Sequence, residues 1–418
     1  MRQTVIRINY VKLIVTSIIV SLFAALLADS LKRITSYYQD LIFSQAQKFP
    51  LIYIILPSVG ITMIYFLRKY LFKGKQNKGI KEIYQTIEER KNSLPAYKIP
   101  SHYFNGFLTV IFGGSTGVEV STVVATAAIG SVAHQGKSTA NIYKTELICA
   151  GVAAGIATLF GSPIAGFLFA IEVIAKKVTR TILVSSFISV LVAWLFMSLI
   201  KGGKLFPFMV SHWNYQAIPY FIILSVLAGF LAAYFTKTVI FIKSRFSQIN
   251  SNFLRVNIGA ILVGCSILSF PQLYGDSYHA IPELMHKIQS EPFSFSLILV
   301  LIILVLLKPI VASLTLGAGG DGGVFAPSIV AGALLGMLTA TSINHFFNTH
   351  LIVLNFALVG AGAVLSAAIA APLTSIFLIC ALVNGGYILF VPILIGSFIA
   401  KYAAKLFCDY TVYSYKLS

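Results

Sequence analysis

Hydrophobic positions gather into long blocks along this chain, with polar residues collected between them: Leu13–Leu27, Leu51–Leu67, Ile182–Ile200, Ala217–Phe235, Ile258–Phe270, Phe295–Leu307, Leu351–Val383 and Ile388–Ala400. Several reach the ~20 residues that carry a helix across a hydrocarbon core. The pattern predicts an all-α polytopic membrane protein with little soluble mass. No small-residue cleavage site follows Leu13–Leu27, so this block reads as a first membrane helix and not as a signal peptide.

Two glycine-rich stretches interrupt the pattern in the same way. GGSTGVEVSTVVATAAIG starts at Gly113 and GGDGGVFAPSIVAGALLG starts at Gly319. Laid over each other without a gap they match at the paired glycines, Gly117/Gly323, Val118/Val324, Ala125/Ala331 and Gly130/Gly336. A second pair follows, GVAAGIATLFGSPIAGFLF from Gly151 and GAGAVLSAAIAAPLTSIFL from Gly360, with Pro163 on Pro372. The chain therefore reads as one transmembrane domain made of an internal repeat, about 1–205 and 206–418. Repeats in membrane proteins are often inverted, with the binding site where broken helices meet. Each glycine run leads into a helix N-terminus, whose first N–H groups lack intrahelical acceptors and sit at the positive end of the helix dipole. Such termini bind anions without a cationic side chain.

Charge adds to this picture. The chain has 31 Lys+Arg against 13 Asp+Glu, a formal net charge of +18. The basic residues are mostly interhelical, as topology signals are, so nucleic-acid binding is not implied. Arg2, Arg7 and Lys12 at the N-terminus, and Arg68, Lys69, Lys73, Lys75, Lys78, Lys81, Arg90, Lys91 and Lys98 between the second and third apolar regions, place both segments on the cytoplasmic side by the positive-inside rule. Two spans separate them, so the parity agrees. Glu119, Glu172 and Asp321 instead lie in or against apolar segments, where ionisable groups tend to mark ion pathways. The four cysteines have no metal or disulfide spacing and read as packing residues, while the seven histidines read mostly as interfacial residues at span ends.

These motifs resemble the CLC family of chloride channels and chloride/proton antiporters. GGSTGVEVST resembles the family's GxxxGREGP motif, GVFAP (Gly323–Pro327) its GxFxP motif, and NKGIK (Asn77–Lys81) its GSGIP loop. FGSPIAGFLFAIE (Phe160–Glu172) and VYSY (Val412–Tyr415) resemble the helix after the first motif and the terminal tyrosine segment. The likeness runs from about Arg68 to the end. It implies tilted and broken helices in two inverted-topology halves, and a homodimer in the cell membrane with one anion pathway per subunit. It makes Glu119 the gating residue. Lys78, Gly79, Ile80, Gly117, Val118, Val324, Phe325 and Tyr413 become anion-binding positions, with bound chloride or another small anion and no other cofactor or metal.

The departures shape the functional expectation. Lys78 stands where the family has a serine, with Asn77 taking that place if the alignment slips by one. Val118, Val120 and Ser121 replace the Arg, Gly and Pro of the first motif. Proton-coupled members often carry a second, inner glutamate after the one matching Glu172; here it is Val173, and Tyr84 replaces another inner acid. The likeness also leaves this chain with a shortened last helix and without a cytoplasmic CBS domain pair. Val173 points to a channel-like or weakly coupled pathway, with a proton/chloride or proton/fluoride antiporter using another proton route as the alternative. Asp321 is expected to face the anion path, to pair with Lys308 or to cap the following helix. A non-transporting scaffold and an intramembrane enzyme are remoter readings. Against the second, the chain has no HExxH.

Overall fold

In the computed structural model, residues 2–415 are described apart from 73, 75–76, 90–92, 137–142, 201 and 292. Lys73, Lys75, Arg90 and Lys91 of the basic loop, and the side chain of Arg2, lie outside the described residues. The apolar blocks are helical. The first half holds α1 (Arg2–Lys48), α2 (Ile52–Phe66, continued by a π turn, Leu67–Leu71), α3 (Ile80–Glu88), α4 (Lys98–Ile111), α5 (Glu119–His134), α6 (Lys144–Phe160), α7 (Pro163–Phe169, continued by a π turn, Ala170–Ala175) and α8 (Arg180–Ile200). The second holds α9 (Ile218–Ser247), α10 (Asn252–Ser269), α11 (Ala280–Ser290), α12 (Phe295–Ala318), α13 (Phe325–Phe347), α14 (Val353–Ile369), α15 (Pro372–Ala381) and α16 (Phe390–Lys405). Eight helical stretches are long and apolar enough to cross a membrane among the described residues. The one β-like feature there is a single bridge between Met209 and Asn384.

The blocks differ from the helices in three places. Leu13–Leu27 is only the centre of α1, whose 47 residues would extend ~70 Å at 1.5 Å per residue. Leu351–Val383 is two helices: α14 ends at Ala370, which takes a left-handed conformation (φ 57°), and α15 begins with Pro372. Proline suits the first helical position because its missing N–H needs no partner there. The earlier copy breaks at the same place, with Gly161 left-handed (φ 65°) and Pro163 starting α7. The third difference is α13, which spans 23 residues but is rich in Ala and Gly and so does not stand out as an apolar block.

Those small residues are what the fold needs. α5 packs on α6 and α13 on α14 with backbones in direct approach. A Cβ on Gly130 would stand 2.1 Å from the Leu147 carbonyl oxygen, and one on its repeat equivalent Gly336 would stand 2.0 Å from that of Phe356. In lipid, where apolar burial does not drive helices together, close backbone packing through small residues does. The result surrounds the N-termini of α5 and α13 with protein. Non-helical backbone at membrane depth requires that surrounding.

Candidate functional site

The two glycine loops hang from each other's halves. Thr109 on α4 and Thr315 on α12 are equivalent positions of the repeat. The Thr315 hydroxyl accepts from the Ser115 amide (3.1 Å) and the Thr109 hydroxyl accepts from the Asp321 amide (2.9 Å). Each hydroxyl in turn donates to the carbonyl four residues back in its own helix, Asn105 or Val311. This exchanged pair fixes two irregular loops against each other and satisfies the buried amides of Ser115 and Asp321. The threonines align in the sequence as well, just upstream of the glycines, and were missed because the comparison began at Gly113. Gly319 (φ 109°) and Gly322 (φ 148°) supply backbone angles that side-chain-bearing residues rarely adopt. Val118 and Val324, the residues before α5 and α13, cannot cap their helices with a side chain, and the first amides of each helix have no intrahelical acceptor.

Glu119 is the first residue of α5 and is buried. Its carboxylate folds back over the start of its own helix. A Cβ on Gly117 would stand 2.0 Å from Glu119 Oε2 and 2.7 Å from Ala326 Cβ. Gly117 is thus glycine because the carboxylate and the first turn of α13 share its space. Oε1 accepts from the Tyr278 hydroxyl at 2.8 Å. Sequence reasoning missed Tyr278: it sits in an irregular turn with no motif or period around it. That turn is held by Lys308, fully buried, whose ammonium donates to Ser277 Oγ (2.7 Å) and Ser115 Oγ (2.8 Å). Lys308 therefore ties the Glu119 loop to the turn that carries its phenol partner.

Below the loops opens a cavity of about 410 Å³ whose wall includes Lys78, Gly79, Ile80, Val120, Val324 and Tyr413. Residues from four distant stretches of sequence meet there. Tyr413 is buried, and its hydroxyl has no hydrogen-bond partner among the described residues. The hydroxyl lies 3.4 Å from where a Gly323 Cβ would be, beside the start of α13. Phe325 is fully buried between Phe160 and Phe169, so its ring anchors the helix start that its amide opens. Val118 is the residue before α5 and is half-buried. Cations crowd the same cavity: Arg68, Lys81, Lys243 and Arg255 join Lys78. The Lys78 side chain is exposed, while its amide is bonded to Glu82 Oε1. Asn77 is engaged by Asp321 and Lys98.

Asp321 lies in the wall of this cavity. It neither pairs with Lys308 nor caps α13, which starts four residues later. Its Oδ2 lies 3.0 Å from His102 Nδ1 and accepts from Asn77 at 2.8 Å; its Oδ1 accepts from the Gly322 amide. His102, read as interfacial, is fully buried in α4. The reason is spatial: the loop before α13 crosses α4 near Thr109, two helical turns from His102, a proximity no local pattern reveals.

Glu172, expected on a pathway, holds a helix end. Its carboxylate accepts from the amides of Leu373 (3.3 Å) and Thr374 (2.8 Å) and from the Thr374 hydroxyl (2.9 Å). In the first copy Ser162 caps α7 itself; the equivalent residue before α15 is Ala371, which cannot. Glu172 supplies the missing cap from another helix. Glu172→Ala should therefore lower the unfolding free energy by about 0.5–2 kcal/mol, with Ala371→Ser restoring part of it and anion flux unchanged; thermal melts of the purified protein would show this. Val173 is buried and apolar.

Comparison with known proteins adds an independent line. Residues 59–405 match the family model described as voltage gated chloride channel. Over 367 residues, 84% of this chain, the sequence is 26% identical to the H(+)/Cl(-) exchange transporter ClcA of Vibrio campbellii, covering 75% of that protein. The same identity and share of this chain hold for ClcA of Vibrio parahaemolyticus, with 76% of that protein covered. Among solved structures, a CLC-type fluoride/proton antiporter superposes with a TM-score of 0.79 and a slow cyanobacterial Cl-/H+ antiporter with 0.80. Each is 21% identical, and 96% of both chains is covered in each case. These superpositions show the fold.

Proposed function

Because the chain belongs to the voltage gated chloride channel family and is a multi-pass membrane protein, we propose that it moves small inorganic anions across the membrane in exchange for protons, with Glu119 as the group both compete for. The observation that carries this reading is the seat of the Glu119 carboxylate. It is a buried carboxylate tethered at the start of α5, folded over Gly117, whose other neighbour is Ala326 in the first turn of α13, and it accepts from one phenol. A free anion can take the same place only when the carboxylate leaves or is neutralised. The sequence reading favoured a channel-like pathway because Val173 removes an acid. The relatives named as H(+)/Cl(-) exchangers support the exchanger instead. Val324, Phe325 and Tyr413 would hold the anion next to Glu119, and Gly79, Ile80, Gly117 and Val118 would shape its path by backbone. The cationic cavity would gather anions on the cytoplasmic side, where the positive-inside rule places its loops. Chloride is the default substrate, with fluoride, nitrate and bicarbonate as the comparison set. Two copies of the chain, each with its own pathway, form the working unit in this reading.

The protein in liposomes, with anion efflux and proton influx recorded together, tests it. Anion efflux should drive protons uphill at a fixed ratio. Anion flux without proton movement would make the protein a passive channel, and no flux of either would return it to a scaffold.

A further inference from the structure

One buried ionisable pair has no part in the site as derived so far. His102 and Asp321 are 3.0 Å apart and are 0% and 5% exposed. The Asp321 carboxylate also accepts from Asn77 and from the Gly322 amide, but the exchange that ties the two glycine loops together is made by the threonines, not by this pair. Burying an ion pair is costly and often adds no net stability, so its presence asks for a use. His102 Nε2 is buried and has no hydrogen-bond partner among the described residues, although a buried ring nitrogen of this kind is normally satisfied.

Position suggests the use. Asp321 is part of the cavity wall, and His102 lies directly behind its carboxylate. On its other side the Asp321 carbonyl accepts from the Thr116 hydroxyl (3.4 Å), three residues before Glu119. Asp321 thus stands on a loop that touches both the cavity and the loop of the gate, with His102 beside it on α4. Its charged surroundings are mixed. Arg68 acts on Asp321 from the end of α2, and Lys243 on α9 and Arg255 on α10 share the cavity wall. Asn77 links Asp321 to Lys98, which is paired with Glu82 on α3 at 2.7 Å. The buried ionisable groups of α5 and α12 are Glu119 and Lys308, the latter already bonded to two serines. No charged side chain of α1 is bonded to either member among the described residues.

We propose that the His102–Asp321 pair is a proton station between the cavity and Glu119, serving the exchange set out above and resting on that reading. A proton from cavity water binds the neutral imidazole, and the adjacent carboxylate stabilises the imidazolium. The proton then leaves the ring through intervening water to the Glu119 carboxylate, which becomes a neutral carboxylic acid and vacates the anion seat. The ring returns to its neutral form, and no other bond changes. Histidine suits the task because its charge changes between about pH 5 and 8. The pair would supply the titratable group that Val173 does not.

His102→Gln keeps a buried polar side chain that cannot carry a proton; Asp321→Asn keeps the shape and removes the charge. In liposomes each should lower proton flux at least about tenfold, a modest loss for removing a proton-transfer group, while anion flux persists and the anion-to-proton ratio rises. Variants that keep the wild-type ratio would overturn the proposal and leave the exchange reading intact. Equal loss of both fluxes in a monodisperse variant would overturn it in favour of a structural role. A wild-type protein that moves no protons would overturn both readings. Where a variant does not fold, ring-nitrogen NMR of wild-type protein labelled on histidine decides. The His102 signal, assigned by its loss in a His102→Gln sample or by elimination of the other six histidines, is expected to change with pH, and a His102 signal that stays fixed would overturn the proposal.

Discussion

Replacing Glu119 by Gln is expected to separate the two fluxes: anion transport continues at every pH, and proton flux falls by roughly two orders of magnitude, the scale of removing an essential acid–base group. The glutamine amide has nearly the shape of the protonated acid and no charge, so it cannot act as the tethered anion. Wild-type anion flux should rise as pH falls, because protonation discharges the carboxylate that occupies the seat between α5 and α13. The variant should be flat over the same range. The structure adds a second consequence. The Tyr278 hydroxyl donates to Oε1 and can donate equally to an amide oxygen, so the variant keeps this contact and its phenotype reports charge alone. Paired anion and proton recordings from pH 4.5 to 7.5 check the result. A variant as pH-dependent as the wild type would remove Glu119 from the gate.

Gly336→Ala is expected to destabilise the protein more than any surface change. The new Cβ would meet the Phe356 carbonyl oxygen at 2.0 Å and the carbonyl carbon at 2.4 Å. These are backbone atoms at the centre of the α13–α14 contact, so no side chain can swing aside and the helices must separate. Overpacking of this kind costs about 1–3 kcal/mol. The same separation would move the N-terminus of α13 away from Glu119, so surviving protein should transport poorly. Gly130→Ala, which meets the Leu147 carbonyl oxygen at 2.1 Å, should behave alike in the other repeat. By contrast, alanine at Gly202 meets nothing within 4 Å and should be neutral. Thermal unfolding in detergent ranks the three. A Gly336→Ala protein melting with the wild type would mean that the two helices slide freely past each other.

Much of this protein was legible from residue type and order. The apolar blocks set an all-helical membrane fold, because a chain in lipid must satisfy its backbone within each segment. The paired glycine runs marked where helices start at depth, and Glu119 stood out as an acid between two valines in an apolar stretch. What sequence could not decide is which distant groups those acids meet. Asp321 and Lys308 are thirteen residues apart and were natural partners on paper. Yet the loop carrying Asp321 crosses α4, so its partner is His102, while Lys308 reaches Ser115 and Ser277. Glu172 looked like a pathway acid and instead caps a helix in the other repeat, because Ala371 left amides there that needed an acceptor. Tyr278 had no signal at all. Periodicity and composition report how each segment meets its solvent, and so they determine the helices and their breaks. Hydrogen-bond partners across 150 or more residues depend on how the helices cross, and only the tertiary structure decides that.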